Sequence, residues 1–221
     1  MKLLTDGASN PKTAKSTGYG YLTGILHLAS HIQSGYQVCP LATEGCSTAC
    51  LYFQGRGRMN SVQEARIRKT RMFFENRAGF MADLAKDIAS IVRRAEKNNL
   101  KPCVRLNGTS DIRWERTGIM ERFPNVTFYD YTKIKNRKRL PKNYSLTFSR
   151  SEATTHDEWC KAIDDGMNVA VVFRDAMPES WLGVPVIDGT THDLRFLDPK
   201  PCIVGLTAKG SAKKDTSGFV V

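Results

Sequence analysis

The sequence predicts an α/β fold: a largely parallel sheet, open or curled into a partial (β/α) barrel, with an N-terminal cysteine loop and helices ahead of it. Three observations predict it. Beyond residue 100 the chain breaks into six short apolar runs that each end in polar residues, the pattern of buried strands. Helical candidates lie between several of these runs, and strands alternating with helices require right-handed crossovers and so a parallel sheet. From Ser61 to Asn98, by contrast, apolar residues recur at helical spacing.

The elements follow in order. Residues 1–20 are rich in Gly, Ser, Thr and Lys and read as a flexible arm, leaving 21–221 as a single α/β domain. A short helix is expected across Ile25 to Ile32, then the cysteine loop 37–53, "QVCPLATEGCSTACLYF". Ser61 with Glu64 has the spacing of a capping box, and Gly79 is expected to divide the following helical stretch in two. The strands are "CVRLNGTSD" (103–111), "VTFYDYTK" (126–133), "YSLTFSRSE" (144–152), "NVAVVFRD" (168–175), "VPVIDG" (184–189) and "CIVGLTAKG" (202–210). Helices are expected over Ile112 to Arg122, closed by "FPN", and over Thr155 to Asp165, closed by Gly166. The tail "TAKGSAKKDTSGF" reads either as a flexible basic end or as an anion-wrapping loop.

In parallel α/β folds, ligands gather where the strands end, because the loops there vary on a rigid scaffold. Arg105, Asn107, Ser149 and Arg150 sit on or just beyond such ends and are the expected ligand or cofactor contacts. The guanidinium groups of Arg105 and Arg150 can each clamp a carboxylate or phosphate in a bidentate fashion. His192, in "DGTTHD", is the candidate general acid or base, with Asp188 beside it at a strand end.

The cysteines carry the sharper chemistry. Cys39, Cys46 and Cys50 fall within twelve positions of a chain that has six cysteines in all. No signal-peptide pattern and no apolar run of membrane length occurs, so a cytoplasmic location and no membrane contact are expected. In that reducing setting clustered cysteines are metal ligands or catalytic groups more often than disulfides. Three adjacent thiolates repel one another unless a cation or cluster neutralises them. Two centres satisfy this. One is zinc, with His27 and His31 completing a site with two of the cysteines. The other is a [4Fe-4S] cluster held by the three cysteines, with one iron left to another ligand.

Charge adds a partner class. Lys and Arg exceed Asp and Glu by 33 to 22, a formal +11, which favours an anionic ligand or nucleic acid. The runs "ARIRKTR" (65–71) and "KIKNRKR" (133–139) carry much of the excess. Against nucleic acid, no helix-turn-helix, zinc-finger spacing or RNA-binding strand motif occurs.

The blocks "TGILHLASHIQSGYQVCPLATEGCSTACL", "RLNGTSDIRWE", "FYDYTKI", "LTFSRSE", "VIDGTTHDLRFLDP" and "GLTAKGSAKKDTSGFV" together resemble the phage family known as gene product 88. That resemblance implies a phage protein working in the infected host cell. More distantly, a three-cysteine loop ahead of a β/α partial barrel is similar to radical SAM proteins. It implies a [4Fe-4S] cluster whose open iron binds S-adenosylmethionine, and an enzyme that uses it. The spacing here, Cys-x6-Cys-x3-Cys, departs from their usual Cys-x3-Cys-x2-Cys. The reading favoured is therefore a phage iron–sulfur protein with a radical SAM-like architecture. The alternatives are a nucleic-acid-binding protein with a structural zinc or iron–sulfur site, and a redox or electron-transfer protein.

Overall fold

A computed structural model describes residues 1–7 and 14–221. Nine strands form one mixed sheet: β1 (Leu4–Asp6), β2 (Tyr21–Leu26), β3 (Lys101–Arg105), β4 (Thr127–Thr132), β5 (Tyr144–Ser149), β6 (Asn168–Phe173), β7 (Ser180–Trp181), β8 (Val184–Asp188) and β9 (Ile203–Thr207). Their order is β1-β2-β3-β4-β5-β6-β9-β8-β7. Neighbours from β2 to β8 pair in parallel, while β1 and β7 are antiparallel strands at opposite edges, so the sheet stays open and does not close into a barrel.

Because β2 to β6 are laid down side by side in chain order, right-handed crossovers put their helices on one face. Those helices are α1 (Glu44–Thr48), α2 (Asn60–Glu75), α3 (Arg77–Lys97), α4 (Ile119–Arg122) and α5 (His156–Asp164). On the helical face Phe80, Leu84, Ile88 and Ile91 of α3 join Leu22, Leu26, Val104, Leu106 and Phe128 in the main core. Side chains alternate along a strand, so Cys103 and Tyr129 point to the opposite face. There Leu194 and Phe196 cover them, from a segment that crosses the sheet after β8. A groove of about 350 Å³ between α3 and Phe123 opens where β4 begins, the end of the sheet away from the strands' carboxyl ends.

Several local expectations change. The stretch read as a helix from Ile25 begins instead as β2, buried between β1 and β3. A strand buried on both faces gives a continuous apolar run, which periodicity cannot tell from a short helix. In the expected arm, Leu3 and Leu4 are buried and their N–H groups donate to Asp87 Oδ2 at 2.6 and 2.8 Å; residues 8–13 of that arm lie outside the described residues. The long helix divides at Asn76, whose side chain accepts from the Gly79 N–H at 3.0 Å. A Cβ at Gly79 would come within 2.6 Å of the Asn76 amide, so this glycine permits the cap instead of making the break. Ser61 does not cap, because α2 starts one residue earlier, after Met59.

The expected helix at 112–122 is only a 3-10 turn, Trp114–Arg116, and the four-residue α4, separated by Gly118 at φ 72°. α5 forms as expected, with the Thr155/Glu158 capping box. The tail is not a free basic end. Arg174 donates to the carbonyls of Lys213 and Asp215 at 2.7 Å each, and Val220 bridges to Val172 of β6.

Candidate functional site

The three cysteines sit on segments docked to the carboxyl ends of the central strands. The segment from His27 to Cys39 is fastened to the loop that follows β3: the Thr109 hydroxyl donates to the Leu28 carbonyl at 2.5 Å, and the Asp111 N–H to the Val38 carbonyl at 2.8 Å. Cys39 Sγ accepts from the His31 N–H at 3.4 Å and donates to the Thr109 carbonyl at 3.7 Å.

Cys46 lies in the first turn of α1. Thr43 caps that helix, accepting from the Cys46 N–H at 3.3 Å. Glu152, just beyond β5, then takes the Gly45 N–H at 2.7 Å and the Thr43 hydroxyl at 2.8 Å. A carboxylate at a helix N-terminus is favoured twice, by the free N–H groups and by the helix dipole. Gly45 is pressed so closely here that a Cβ would collide with Ser217 Oγ and meet Phe219 Cβ at 2.7 Å and Glu152 Oε1 at 2.9 Å. Cys50 begins the next turn, its sulfur accepting from the Tyr52 N–H at 3.4 Å. The tail closes over this region through Ser211, whose hydroxyl donates to the Thr48 carbonyl at 2.8 Å.

The thiols feel one another. Burial pushes Cys39 up to about 12, and ionised Cys50, Cys46 and Asp111 push in the same direction, against the His31 N–H. Cys46 is also raised, first by burial and then by Cys50 and Glu152, while the Lys133 ammonium and its hydrogen bond to the sulfur oppose the shift. Lys133, at the end of β4, also donates to Ser149 Oγ at 2.9 Å and lies 5.5 Å from the Phe219 ring centre. All three cysteines are free thiols. Among the described residues, no group of three or more His, Cys, Asp or Glu side chains is arranged to hold a metal ion.

The other expected site residues divide into groups. Ser149 lies in the thiol region through Lys133. Arg150 is turned to the tail, donating to the carbonyls of Gly218 and Phe219 at 2.8 and 3.3 Å. Asn107 organises the loop after β3: its Oδ1 accepts from Ser110, the Ile112 N–H and Trp114 Nε1 at 2.9 to 3.0 Å, and its Nδ2 donates to the Ile112 carbonyl at 3.0 Å. Arg105 lies on the sheet face opposite the helices, 2.9 Å from Asp193 and 4.7 Å from the centre of the Tyr131 ring. His192 packs on Tyr19, which precedes β2, so its ring lies toward the amino end of that strand rather than at the thiols. Asp188 closes a turn by accepting from the Thr190 N–H at 2.7 Å and its hydroxyl at 2.6 Å.

Both basic runs turn partly inward. Lys69 donates to the Leu3 carbonyl at 2.6 Å, Arg137 is buried against Glu115, and Lys135 pairs with Glu158. Sequence reasoning named Lys133 and Glu152 only as strand ends and passed over Arg66. The usable signal for Arg66 was period: with Thr70 and Phe73 it forms an i, i+4, i+7 stripe on α2, and both of those residues are buried.

The model of the family described as Gene product 88 matches residues 2–221, and the chain belongs to that phage family. No curated protein and no solved structure matches it.

Proposed function

We propose that this member of the Gene product 88 family binds a [4Fe-4S] cluster through Cys39, Cys46 and Cys50 at the carboxyl edge of its parallel sheet. The observation that carries the reading is that three half-buried thiols on separately anchored segments lie within electrostatic reach of one another, with Cys46 and Cys50 adding to the burial that raises Cys39, and Cys50 adding to that of Cys46. A cationic centre removes that penalty, since metal ligation replaces the protons.

The donor set fits the group. Sulfur suits iron–sulfur centres, and two of the sulfurs already accept backbone N–H bonds of the kind that set cluster potentials. Positive charge stands close by, with Lys133 at Cys46 and Arg66 within electrostatic reach of Cys50. Zinc fits less well. A structural zinc ion takes four protein ligands, with Zn–S bonds of about 2.3 Å, one ligand more than the three cysteines supply. His27, the proposed zinc partner, is surrounded by Arg66, Arg105 and Lys69, cations that disfavour a second positive charge. A cluster takes one thiolate per iron and accepts wider spacing.

In this role Glu152 and Thr43 fix α1 and so Cys46, the loop after β3 fixes Cys39, and the docked tail braces the segment after Cys46 through Ser211 and Thr48. When bound, such a cluster supplies one-electron chemistry and, at an iron without a protein ligand, a place for a molecule such as S-adenosylmethionine.

The test is anaerobic reconstitution with iron and sulfide, followed by metal analysis and electron paramagnetic resonance. About four irons per chain, with a reduced-state signal that changes on adding S-adenosylmethionine, is expected. Cluster loading should fall in Cys39→Ser, Cys46→Ser and Cys50→Ser. Colourless protein carrying stoichiometric zinc overturns the cluster. A cluster whose signal ignores S-adenosylmethionine overturns only the enzyme reading.

A further inference from the structure

At the end of the sheet away from the thiols, the groove of about 350 Å³ is bounded by α3 on one side and by the turn after α4 on the other. Its α3 wall carries Ala82, Ala85 and Ala89, spaced three and four apart and so stacked on one helix face. Ala85 is buried and Ala89 half-buried, which makes the wall apolar and low. The facing wall is Phe123, half-buried and held in place by its backbone. Its N–H donates to the Met120 carbonyl at 3.1 Å, and Asn143 Nδ2 donates to the carbonyls of Met120, Phe123 and Val126 at 3.0 to 3.1 Å. The groove is therefore preformed, and its volume lies at the small end of the range that ligand pockets occupy, about 300–1,000 Å³.

Two cations share this space. Lys86 and Arg122 line the groove, one from each wall, and among the described residues that line it there is no carboxylate. Asp83 stands 3.9 Å from Lys86, whose side chain is 79% exposed, and that carboxylate is already engaged by the N-terminal ammonium of Met1. Arg122 lies over the Phe123 ring, 5.9 Å from its centre. An apolar floor alone favours any oily group, whereas two like charges beside it repel one another and favour an anion. We infer that this groove binds a small amphipathic anion, an apolar chain or ring that carries one carboxylate. The apolar part lies between the alanines and Phe123, and the carboxylate meets Lys86 and Arg122. A helix about 10–12 Å across fills such a volume in less than one turn of about 5.4 Å, so the groove suits a small molecule rather than a partner helix.

Octanoate is the probe, titrated into the full chain below its micelle-forming concentration at constant ionic strength. Octan-1-ol supplies the apolar part alone and acetate the charge alone. The methyl resonances of Ala85 and Ala89 report occupancy. Saturable shifts with octanoate, nuclear Overhauser contacts between its chain and the Phe123 ring, weaker binding of octan-1-ol and none of acetate are expected. Lys86→Gln and Arg122→Gln should each weaken octanoate about two- to fivefold, the range of exposed ion pairs, and leave octan-1-ol unchanged. Lys97→Gln, which removes the same charge from the last turn of α3, should change neither. Ala89→Leu fills the groove and should abolish the shift at Ala85; if that variant fails to fold, Ala82→Leu at the exposed mouth serves with the same expectation. No saturable shift with octanoate overturns the inference, as does equal binding of octanoate and octan-1-ol. Equal weakening by Lys97→Gln would trace the effect to the charge of the whole chain and overturn it too.

Discussion

Glu152→Ala isolates what positions Cys46. The carboxylate holds two donors, the Gly45 N–H at 2.7 Å and the Thr43 hydroxyl at 2.8 Å, and it sits at the N-terminus of α1. A hydrogen bond to a charged group contributes about 1.5–3 kcal/mol, and a partly exposed carboxylate belongs at the low end. Allowing for water to replace part of this, and for a few tenths from the helix dipole, the loss is about 2–3 kcal/mol. Because α1 is short and faces solvent on one side, the loss falls on local opening rather than on the whole fold. Amide hydrogen exchange in peptides spanning residues 43–50 should accelerate by roughly 30- to 150-fold, since each 1.36 kcal/mol is a factor of ten. Amides of β4 to β6 should keep their rates. Glu152→Gln keeps an acceptor for Gly45 but not for Thr43, and should give roughly half the free-energy change. Unchanged exchange over 43–50, or acceleration spread equally through the sheet, would show that Glu152 does not hold the cysteine segment.

Gly45→Ala should cost about 1–3 kcal/mol by overpacking, because the new Cβ meets Phe219 Cβ at 2.7 Å; limited proteolysis should then cut the tail near residues 215–220 first. Asn107→Ala leaves Trp114 Nε1 and the Ile112 N–H without their acceptor, so calorimetry should find a loss of about 3–5 kcal/mol; an unchanged midpoint would mark Asn107 as a ligand contact instead. Asp130, buried beneath Asn107, is raised by burial from 3.8 to about 7. The folded chain therefore keeps a proton that the unfolded chain releases, and this contribution to stability is present below about pH 4 and lost as pH rises toward 7. Relative to Asp130→Asn, the wild type should lose up to about 4 kcal/mol across that window in denaturant titrations. His27 has the opposite sign. Its folded pKa of about 3 lies below the ordinary 6.5, so its contribution is lost as pH falls from 6.5 toward 3, and His27→Gln should flatten that acid limb.

Sequence made legible part of what is local: the helix expected from Thr155 forms, with Thr155 and Glu158 capping it, whereas the capping box read at Ser61 and Glu64 does not form. The six strands expected after residue 100 appear because turn residues bound each one, while a seventh, the two-residue β7, was not read. β1 and β2 were missed for different reasons. β1 is three residues long and is held by Asp87, more than eighty positions away, and β2 has no polar alternation because both its faces are covered. The cysteines were readable as a group but their setting was not: Glu152 meets Gly45 across 107 positions and Ser211 meets Thr48 across 163. Charge misled most. Runs that read as basic faces place Lys69, Lys133 and Arg137 against carbonyl, hydroxyl and carboxylate partners inside the fold.

The three thiols hang from different parts of the sheet, and that decides how a centre bound to them would behave. Cys39 follows the loop after β3, Cys46 follows Glu152 after β5, and Cys50 follows the turn that Arg66 and Tyr52 steady from α2. No short piece of the loop can hold this spacing alone, so binding free energy at the thiols is also free energy of sheet assembly. The same logic ties the thiols to the inner face. Arg105 ends β3, and the loop that begins beyond it carries Thr109, the partner of Cys39.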